Sequence, residues 1–168
     1  MGATGMQSSF FEDMVAEVLA LTGEDSPVKV RRVLRNSCML SSDVSAAYDP
    51  LYPEVFEKKN TAYFGRGLVL NKYTGSRGKN GTSDANAEYV AKVRNVFDNN
   101  HVAFQTAELG KVDQGGGGTI AYVMANKAMS VIDSGVAVLS MHAPYEVTSK
   151  SDVYEVYRGY KAFLKDMK

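Results

Sequence analysis

The chain has 168 residues, 45% of them hydrophobic and 23% charged, which suits one globular domain able to bury roughly 70% of its unfolded surface. This composition excludes an intrinsically disordered or collagen-like chain. Lys+Arg and Asp+Glu each total 19, so the net charge is zero. Without a net charge there is no global attraction to nucleic acid or to an anionic membrane, and we expect neither as a partner.

Cysteine content and the first residues bear on the compartment. Cys38 is the only cysteine, so no internal disulfide can form, which is typical of a reducing compartment. No apolar run approaches the ~20 residues that span a bilayer. Residues 1–9 (MGATGMQSS) lack the basic stretch and apolar core of a secretory signal. These features favour a soluble, cytoplasmic protein.

Apolar residues at helical spacing predict five helices. Ser9 and Glu12 have the spacing of a capping box at the first helix, and Ser26 followed by Pro27 predicts the start of the second. The last helix is expected to bury a stripe of Val153, Tyr157, Tyr160 and Leu164. Helices are predicted over residues 9–21, 27–34, 84–98, 119–126 and 151–165.

Short apolar runs between these helices predict strands, and the first of them is expected to bury Cys38. Two further stretches lack periodicity: residues 46–64 predict a long excursion, and residues 74–83 (TGSRGKNGTS) predict a polar loop. Strands are predicted over residues 37–42, 67–73, 102–106, 130–132 and 136–140. Strands that alternate with helices predict a single α/β domain with a mostly parallel sheet covered on both faces.

Two residues that follow predicted strands are candidates for metal binding. Asp43 follows the first strand, and His142 follows the strand that ends at residue 140. In open α/β sheets ligands bind outside the carboxyl ends of strands. Carboxylate and neutral imidazole suit zinc or manganese, but catalytic zinc takes three protein ligands, so this pair does not complete a site. A purely structural role for His142 stays open.

Four consecutive glycines, Gly115 to Gly118, precede the fourth helix. Exposed backbone N–H groups before a helix can bind an anion. The sequence contains neither the P-loop pattern nor the dinucleotide pattern G-x-G-x-x-G with its acid about 20 residues on. A tight turn that lets the backbone pack against a neighbour or a substrate is therefore the favoured interpretation, and an anion-binding module is the other.

Four segments together resemble one known family, the aspartyl aminopeptidase / aminopeptidase I family of di-zinc metallopeptidases, over essentially the whole chain. The segments are residues 4–8 (TGMQS), 41–47 (SSDVSAA), 111–120 (KVDQGGGGTI) and 133–146 (DSGVAVLSMHAPYE). The resemblance implies a zinc-peptidase-like fold, with a twisted mixed sheet flanked by helices on both faces. It also implies two divalent metal ions, release of N-terminal residues from peptides, and a cytoplasmic homo-oligomer of twelve subunits.

The same resemblance assigns roles to residues of this chain. Asp43 resembles the carboxylate ligand of one metal ion, and His142 resembles the imidazole ligand of the other. Lys72 resembles a lysine near the substrate, and the glycine segment, with Gly115, Gly116 and Gly117, resembles a loop that lines the active site. Zinc is the expected metal, although manganese and cobalt suit the same ligands.

The resemblance further implies that residues 1–168 form an incomplete, C-terminal portion of a catalytic domain. The family's general-base glutamate, histidine ligand and bridging aspartate would lie upstream of Met1. They would belong to a missing N-terminal part of the same enzyme, which this chain would need as a partner. The chain alone is then expected to be inactive. Ala46 and Tyr48 stand where many members carry histidines, which removes the basis for predicting an acidic preference. The alternative is a non-catalytic remnant that acts as an assembly or interaction module.

Overall fold

The computed structural model describes residues 2–76, 80–111, 113–114 and 116–167. Five helices and nine strands, with a short 3₁₀ turn at Pro53–Val55, are found in these ranges. The helices are α1 (Phe10–Leu21), α2 (Pro27–Asn36), α3 (Ala87–Asn99), α4 (Ala121–Ala125) and α5 (Lys150–Asp166). The strands are β1 (Cys38–Ser41), β2 (Ser45–Ala46), β3 (Leu68–Asn71), β4 (Tyr73–Ser76), β5 (Asn80–Asp84), β6 (Phe104–Thr106), β7 (Ser130–Gly135), β8 (Ala137–Leu139) and β9 (Val147–Thr148).

The main sheet has four strands in the order β1-β7-β3-β6. β1 pairs with β7 and β3 pairs with β6 in parallel, whereas β3 and β7 are antiparallel. A second sheet has the order β2-β8-β9, in which β2 and β8 are parallel. The predicted α/β class and mixed sheet are therefore confirmed.

Helices α3 and α5 cover one face of the main sheet. Phe97 of α3 and Leu68, Leu70 and Ile132 of the strands are buried together there. Asn86 fixes the start of α3, because its side chain accepts a hydrogen bond from the Tyr89 N–H at 2.7 Å. Helix α4 packs on the opposite face. Successive side chains of the central strands thus point to opposite faces, and both faces are covered, so β3 is buried throughout and β7 nearly so.

Residues 74–83 were expected to form a loop, and this prediction is wrong where the structure describes them. β4 and β5 pair antiparallel, with Tyr73 opposite Asp84 and Thr74 opposite Ser83. The stretch is rich in glycine and polar residues, so it lacks the apolar alternation by which a strand is recognised. Backbone pairing between the two strands supplies the order that the side chains do not indicate.

The predicted stripe of α5 is wrong for three of its four residues. Val153, Tyr157 and Leu164 are exposed, Tyr160 is partly buried against the core, and the fully buried residues of the helix are Asp152, Gly159 and Ala162. Gly159 allows this close approach, since a Cβ there would lie 2.7 Å from Leu68 Cδ1. Gly159 and Ala162 therefore mark the centre of the packed face of α5, with Val156, Tyr160 and Phe163 partly buried beside them.

Two smaller predictions also fail. Ser9 makes no side-chain capping bond, and the Ser8 hydroxyl accepts from the Phe10 N–H at 3.3 Å instead. Cys38 is exposed at the start of β1 rather than buried.

Across the described ranges, no helix is both long enough and apolar enough to cross a membrane.

Candidate functional site

Asp43 lies just beyond the end of β1, half-buried. Its Oδ1 accepts a hydrogen bond from the Val44 N–H at 2.9 Å, and no other partner is found within the described residues. The segment packs tightly on the end of β7, because a Cβ at Gly135 would lie only 1.8 Å from the Asp43 carbonyl oxygen. Gly135 therefore lets the backbone of Asp43 lie directly against β7.

His142 lies in the turn after β8 and is exposed. Both Ser140 (φ 56°) and His142 (φ 68°) adopt left-handed backbone conformations, which are uncommon for residues other than glycine. The His142 N–H donates a hydrogen bond to Glu146 Oε1 at 2.6 Å, which holds the turn closed. Its imidazole makes no hydrogen bond to any residue that the structure describes, so both ring nitrogens are available.

The second sheet links the segments that carry these two side chains. Asp43 precedes β2 and His142 follows β8, and these strands are parallel neighbours with Ser45 opposite Ala137. Carboxylate and imidazole are zinc ligands, so the chemistry of the pair fits part of a zinc site. Within the described ranges no group of three His, Cys, Asp or Glu side chains is placed to hold a metal ion.

Asp133 is a buried acid that sequence reasoning missed. It lies on β7, 2% exposed, and its Oδ2 accepts hydrogen bonds from Thr119 Oγ1 at 2.7 Å and Thr74 Oγ1 at 3.1 Å. Burial raises the pKa of the Asp133 carboxyl. The threonine hydroxyls partly offset that rise in pKa, whereas the negative charge of Asp43 adds to it. The only signal in the sequence was an acid inside an apolar run, since its partners lie far away along the chain.

Lys72 lies between β3 and β4, where its ammonium group forms an ion pair with Asp84 at the base of the β4–β5 hairpin. Both side chains are at least half exposed. The ammonium group is therefore held at the surface by an acid of its own hairpin. An exposed pair of this kind contributes little to stability.

Gly116 and Gly117 of the glycine segment pack closely against Leu109. Gly116 has φ +84°, and a Cβ there would lie 2.8 Å from the Leu109 carbonyl oxygen. A Cβ at Gly117 would lie 3.0 Å from Leu109 Cδ2. These contacts agree with close packing, the favoured interpretation of the segment. Gly115 lies outside the described residues.

Comparison with known proteins identifies the family. Residues 1–164 match the family described as Aminopeptidase I zinc metalloprotease (M18). The chain belongs to the M18 aminopeptidase family. A probable M18 family aminopeptidase 1 of Clostridium acetobutylicum is 61% identical over 166 residues, which are 99% of this chain. One of Thermotoga maritima is 44% identical over 167 residues, again 99% of this chain.

Solved structures of M18 aminopeptidases share the fold. The aminopeptidase I of Clostridium acetobutylicum superposes on 98% of this chain with a TM-score of 0.86, and the enzyme of Thermotoga maritima superposes on 98% with a TM-score of 0.92. This chain covers 35% and 37% of those two chains. It likewise spans 36% and 37% of the length of the two curated M18 relatives.

Proposed function

We propose that this chain contributes part of the active site of a metalloaminopeptidase that releases N-terminal residues from peptides. The observation that carries the proposal is the pair of candidate metal ligands, Asp43 after β1 and His142 after β8, in a chain of a zinc metalloprotease family. Among the described residues the Asp43 carboxylate has no partner besides the Val44 N–H, and the His142 imidazole has none. Asp43 would serve one metal ion and His142 a second. We expect zinc, because the family is described as a zinc metalloprotease family. Manganese and cobalt are the alternatives, since they bind the same types of ligand.

The residues of this chain would hold the metal ions and position the peptide, and they would not carry out the hydrolysis themselves. Two metal ions held there would activate a water molecule and polarise the scissile carbonyl. Asp43 is held by the Val44 N–H and by its contact with Gly135, and the Glu146 carboxylate fixes the turn that carries His142. Lys72 and the segment with Gly116 and Gly117 would contact the peptide.

We infer that the catalytic domain is completed by a further polypeptide part that carries the general base and the remaining ligands. Two protein ligands are fewer than catalytic zinc requires, and the described residues hold no third. The 168-residue chain alone should therefore bind zinc weakly and show no turnover. As a C-terminal portion of the domain, it would act only together with that part.

A complementation experiment tests the proposal. The chain is mixed with the remaining part of the Clostridium acetobutylicum relative, and hydrolysis of leucyl- and aspartyl-anilides and zinc content are measured. We expect activity only in the mixture, and its loss in Asp43→Asn and His142→Ala. His101→Ala and Asp98→Asn are matched controls, because Asp98 lies in the last turn of α3 and His101 in the turn that follows the helix. Stoichiometric tight zinc with turnover in the chain alone would contradict the proposal.

One surface supports association with a partner. α1 buries none of its residues, and the side chains of Phe10, Met14, Val18 and Leu21 are exposed, Leu21 by 88%. Exposed apolar stripes of this kind mark interaction sites. We propose that α1 contacts the rest of the enzyme or other copies in a homo-oligomer, which the family resemblance sets at twelve subunits. A monomer by light scattering, in the chain and in the complemented mixture, would contradict this.

An assembly or interaction module without catalysis is the second candidate, and the exposed stripe of α1 is the observation that favours it. Oligomers that form in the mixture without hydrolysis would select this alternative. A cytoplasmic location is part of the proposal, supported by the single cysteine, which has no partner within the chain for a disulfide.

A further inference from the structure

One carboxylate joins the two segments that the proposed function assigns to the peptide substrate. Thr74 lies on β4, two residues after Lys72, and Thr119 directly follows the glycine segment. Both hydroxyls donate to Asp133 Oδ2, at 3.1 Å and 2.7 Å, and the two hydroxyl oxygens lie 3.1 Å apart. We name Asp133, Thr74 and Thr119 the aspartate–threonine cluster.

The same strand also carries the contact with Asp43. Asp133 and Gly135 are two residues apart on β7, so they face the same side of the sheet. At Gly135 the strand touches the Asp43 backbone, as described above. Three parts of the chain are therefore fixed against one face of β7, namely the β4–β5 hairpin, the glycine segment and the Asp43 segment. Their contacts with β7 all fall within residues 133–135.

The cluster is costly to the fold, which argues against a merely structural role. A buried carboxylate without an ionic partner opposes folding. Its second oxygen, Oδ1, has no hydrogen-bond partner in the described residues, and neither has Asn71 Nδ2, which is also buried. Asn71 lies opposite Asp133 on one neighbouring strand, and Ser41 lies opposite it on the other. Buried polar groups that are only partly satisfied concentrate at functional sites.

We propose that Asp133 is a positioning residue, which holds the Lys72 hairpin and the glycine segment in fixed places relative to Asp43. The inference rests on the proposed function, because it concerns how the peptide is bound there. Asp133 acts through Thr74 and Thr119 and touches neither substrate nor metal ion. Its loss should therefore weaken peptide binding more than metal binding.

The first test uses the chain alone and needs no activity. In Asp133→Leu the acceptor is lost while the branching of the side chain is kept, and we expect faster amide hydrogen exchange in residues 116–120 and in β4 and β5. In Asp133→Asn an oxygen acceptor remains, so exchange there should stay near that of the wild type. Thr119→Val and Thr74→Val remove one donor each and carry the test if Asp133→Leu does not fold.

A second buried acid provides the matched control. Asp152 is 1% exposed and accepts hydrogen bonds from the Gly65 and Gly67 N–H groups, both at 2.8 Å. Asp152→Leu should speed exchange around Gly65 and Gly67 and leave residues 116–120 unchanged. Equal loosening of residues 116–120 by both substitutions, or by neither, would overturn the positioning role.

The second test uses the complemented mixture. Asp133→Leu or Thr119→Val should raise KM for the anilide substrates about tenfold, with kcat and zinc content changed much less, and Asp133→Asn should restore most of the binding. An active wild-type mixture with an unchanged KM in both variants overturns the inference. A wild-type mixture without hydrolysis contradicts the proposed function instead, while the exchange results still decide the role of Asp133.

Discussion

The two faces of the main sheet are built from alternate residues of the same strands, yet they differ in kind. On the face under α3 and α5, Leu68, Leu70 and Ile132 are almost completely buried among apolar side chains. Every large group there has apolar neighbours, and Phe97 packs against Phe104 with ring centroids 5.7 Å apart. This face is a close-packed core.

The opposite face carries a polar row at the level of Asp133. Ser41 and Asn71 lie opposite it on either side, so one position on each of the three neighbouring strands is polar and buried. Next to this row, at Gly135, the Asp43 segment packs on β7. One face therefore stabilises the sheet, and the other organises the candidate site at the expense of unsatisfied polar groups.

The largest effect on stability should come from the apolar face. Phe97→Ala removes a fully buried ring and should lower the free energy of unfolding by about 3–5 kcal/mol, because a cavity remains beside Leu68 and Ile132. Urea denaturation measures this. Phe10→Ala is the control, since Phe10 on α1 is 48% exposed and its loss should cost under about 0.5 kcal/mol. Equal costs would contradict the assignment of the core.

Two glycines allow the faces to be compared by one substitution. A Cβ at Gly159, on the apolar face, meets the flexible end of Leu68 at 2.7 Å, whereas a Cβ at Gly135 meets the Asp43 backbone at 1.8 Å. A side-chain end can move, and alanine favours the helix by roughly 1 kcal/mol, so Gly159→Ala should be nearly neutral. Gly135→Ala should cost about 3 kcal/mol, at the upper end for overpacking.

The glycine pair also separates stability from site geometry. In the complemented mixture, Gly135→Ala should lower zinc content, since the added Cβ displaces the segment that carries Asp43. Gly159→Ala should leave zinc content unchanged. Denaturation curves and metal analysis of both variants check these outcomes, and a Gly159→Ala variant with equal or greater zinc loss would show that the two faces are not independent.

Sequence patterns predicted the elements well where apolar periodicity was strong. β3 contains the continuous apolar run Leu68 to Leu70 and is wholly buried, and α3 lies within the predicted helix except for its last residue. The pattern failed at α5, because Val153, Tyr157 and Leu164 of the predicted stripe face solvent and the helix is most deeply buried at Gly159 and Ala162. Periodicity shows that a helix has an apolar side, but it does not show which side the fold covers.

The candidate site was predicted only as far as local motifs reach. Asp43 and His142 could be named because each ends a recognisable strand motif. Asp133 could not, because its role depends on Thr74 and Thr119, which are 59 and 14 residues away along the chain. These groups are brought together by the register in which the strands pair. Register depends on several distant segments at once, so no single segment of the sequence predicts it.

The smallest predicted effect is a pH dependence that arises from the polar face. An aspartate has a pKa of about 3.9 in the unfolded chain, and burial raises the pKa of Asp133 in the folded chain. Between the two pKa values the folded state therefore binds the extra proton. The contribution of Asp133 to stability is then full below about pH 3.9 and falls as pH rises through the folded pKa.

The difference in unfolding free energy between wild type and Asp133→Asn isolates this contribution. Measured in chelator by urea denaturation, it should decline as pH rises above about 4 and then level off, by roughly 1.4 kcal/mol for each unit by which the pKa is raised. Thr119→Val removes a hydroxyl that lowers the pKa of Asp133, so the decline should extend to higher pH in that variant. A difference that is constant or rises with pH would show that the Asp133 carboxyl is solvated or paired with a positive charge. The polar face would then not differ from the apolar face by a buried, unpaired carboxyl.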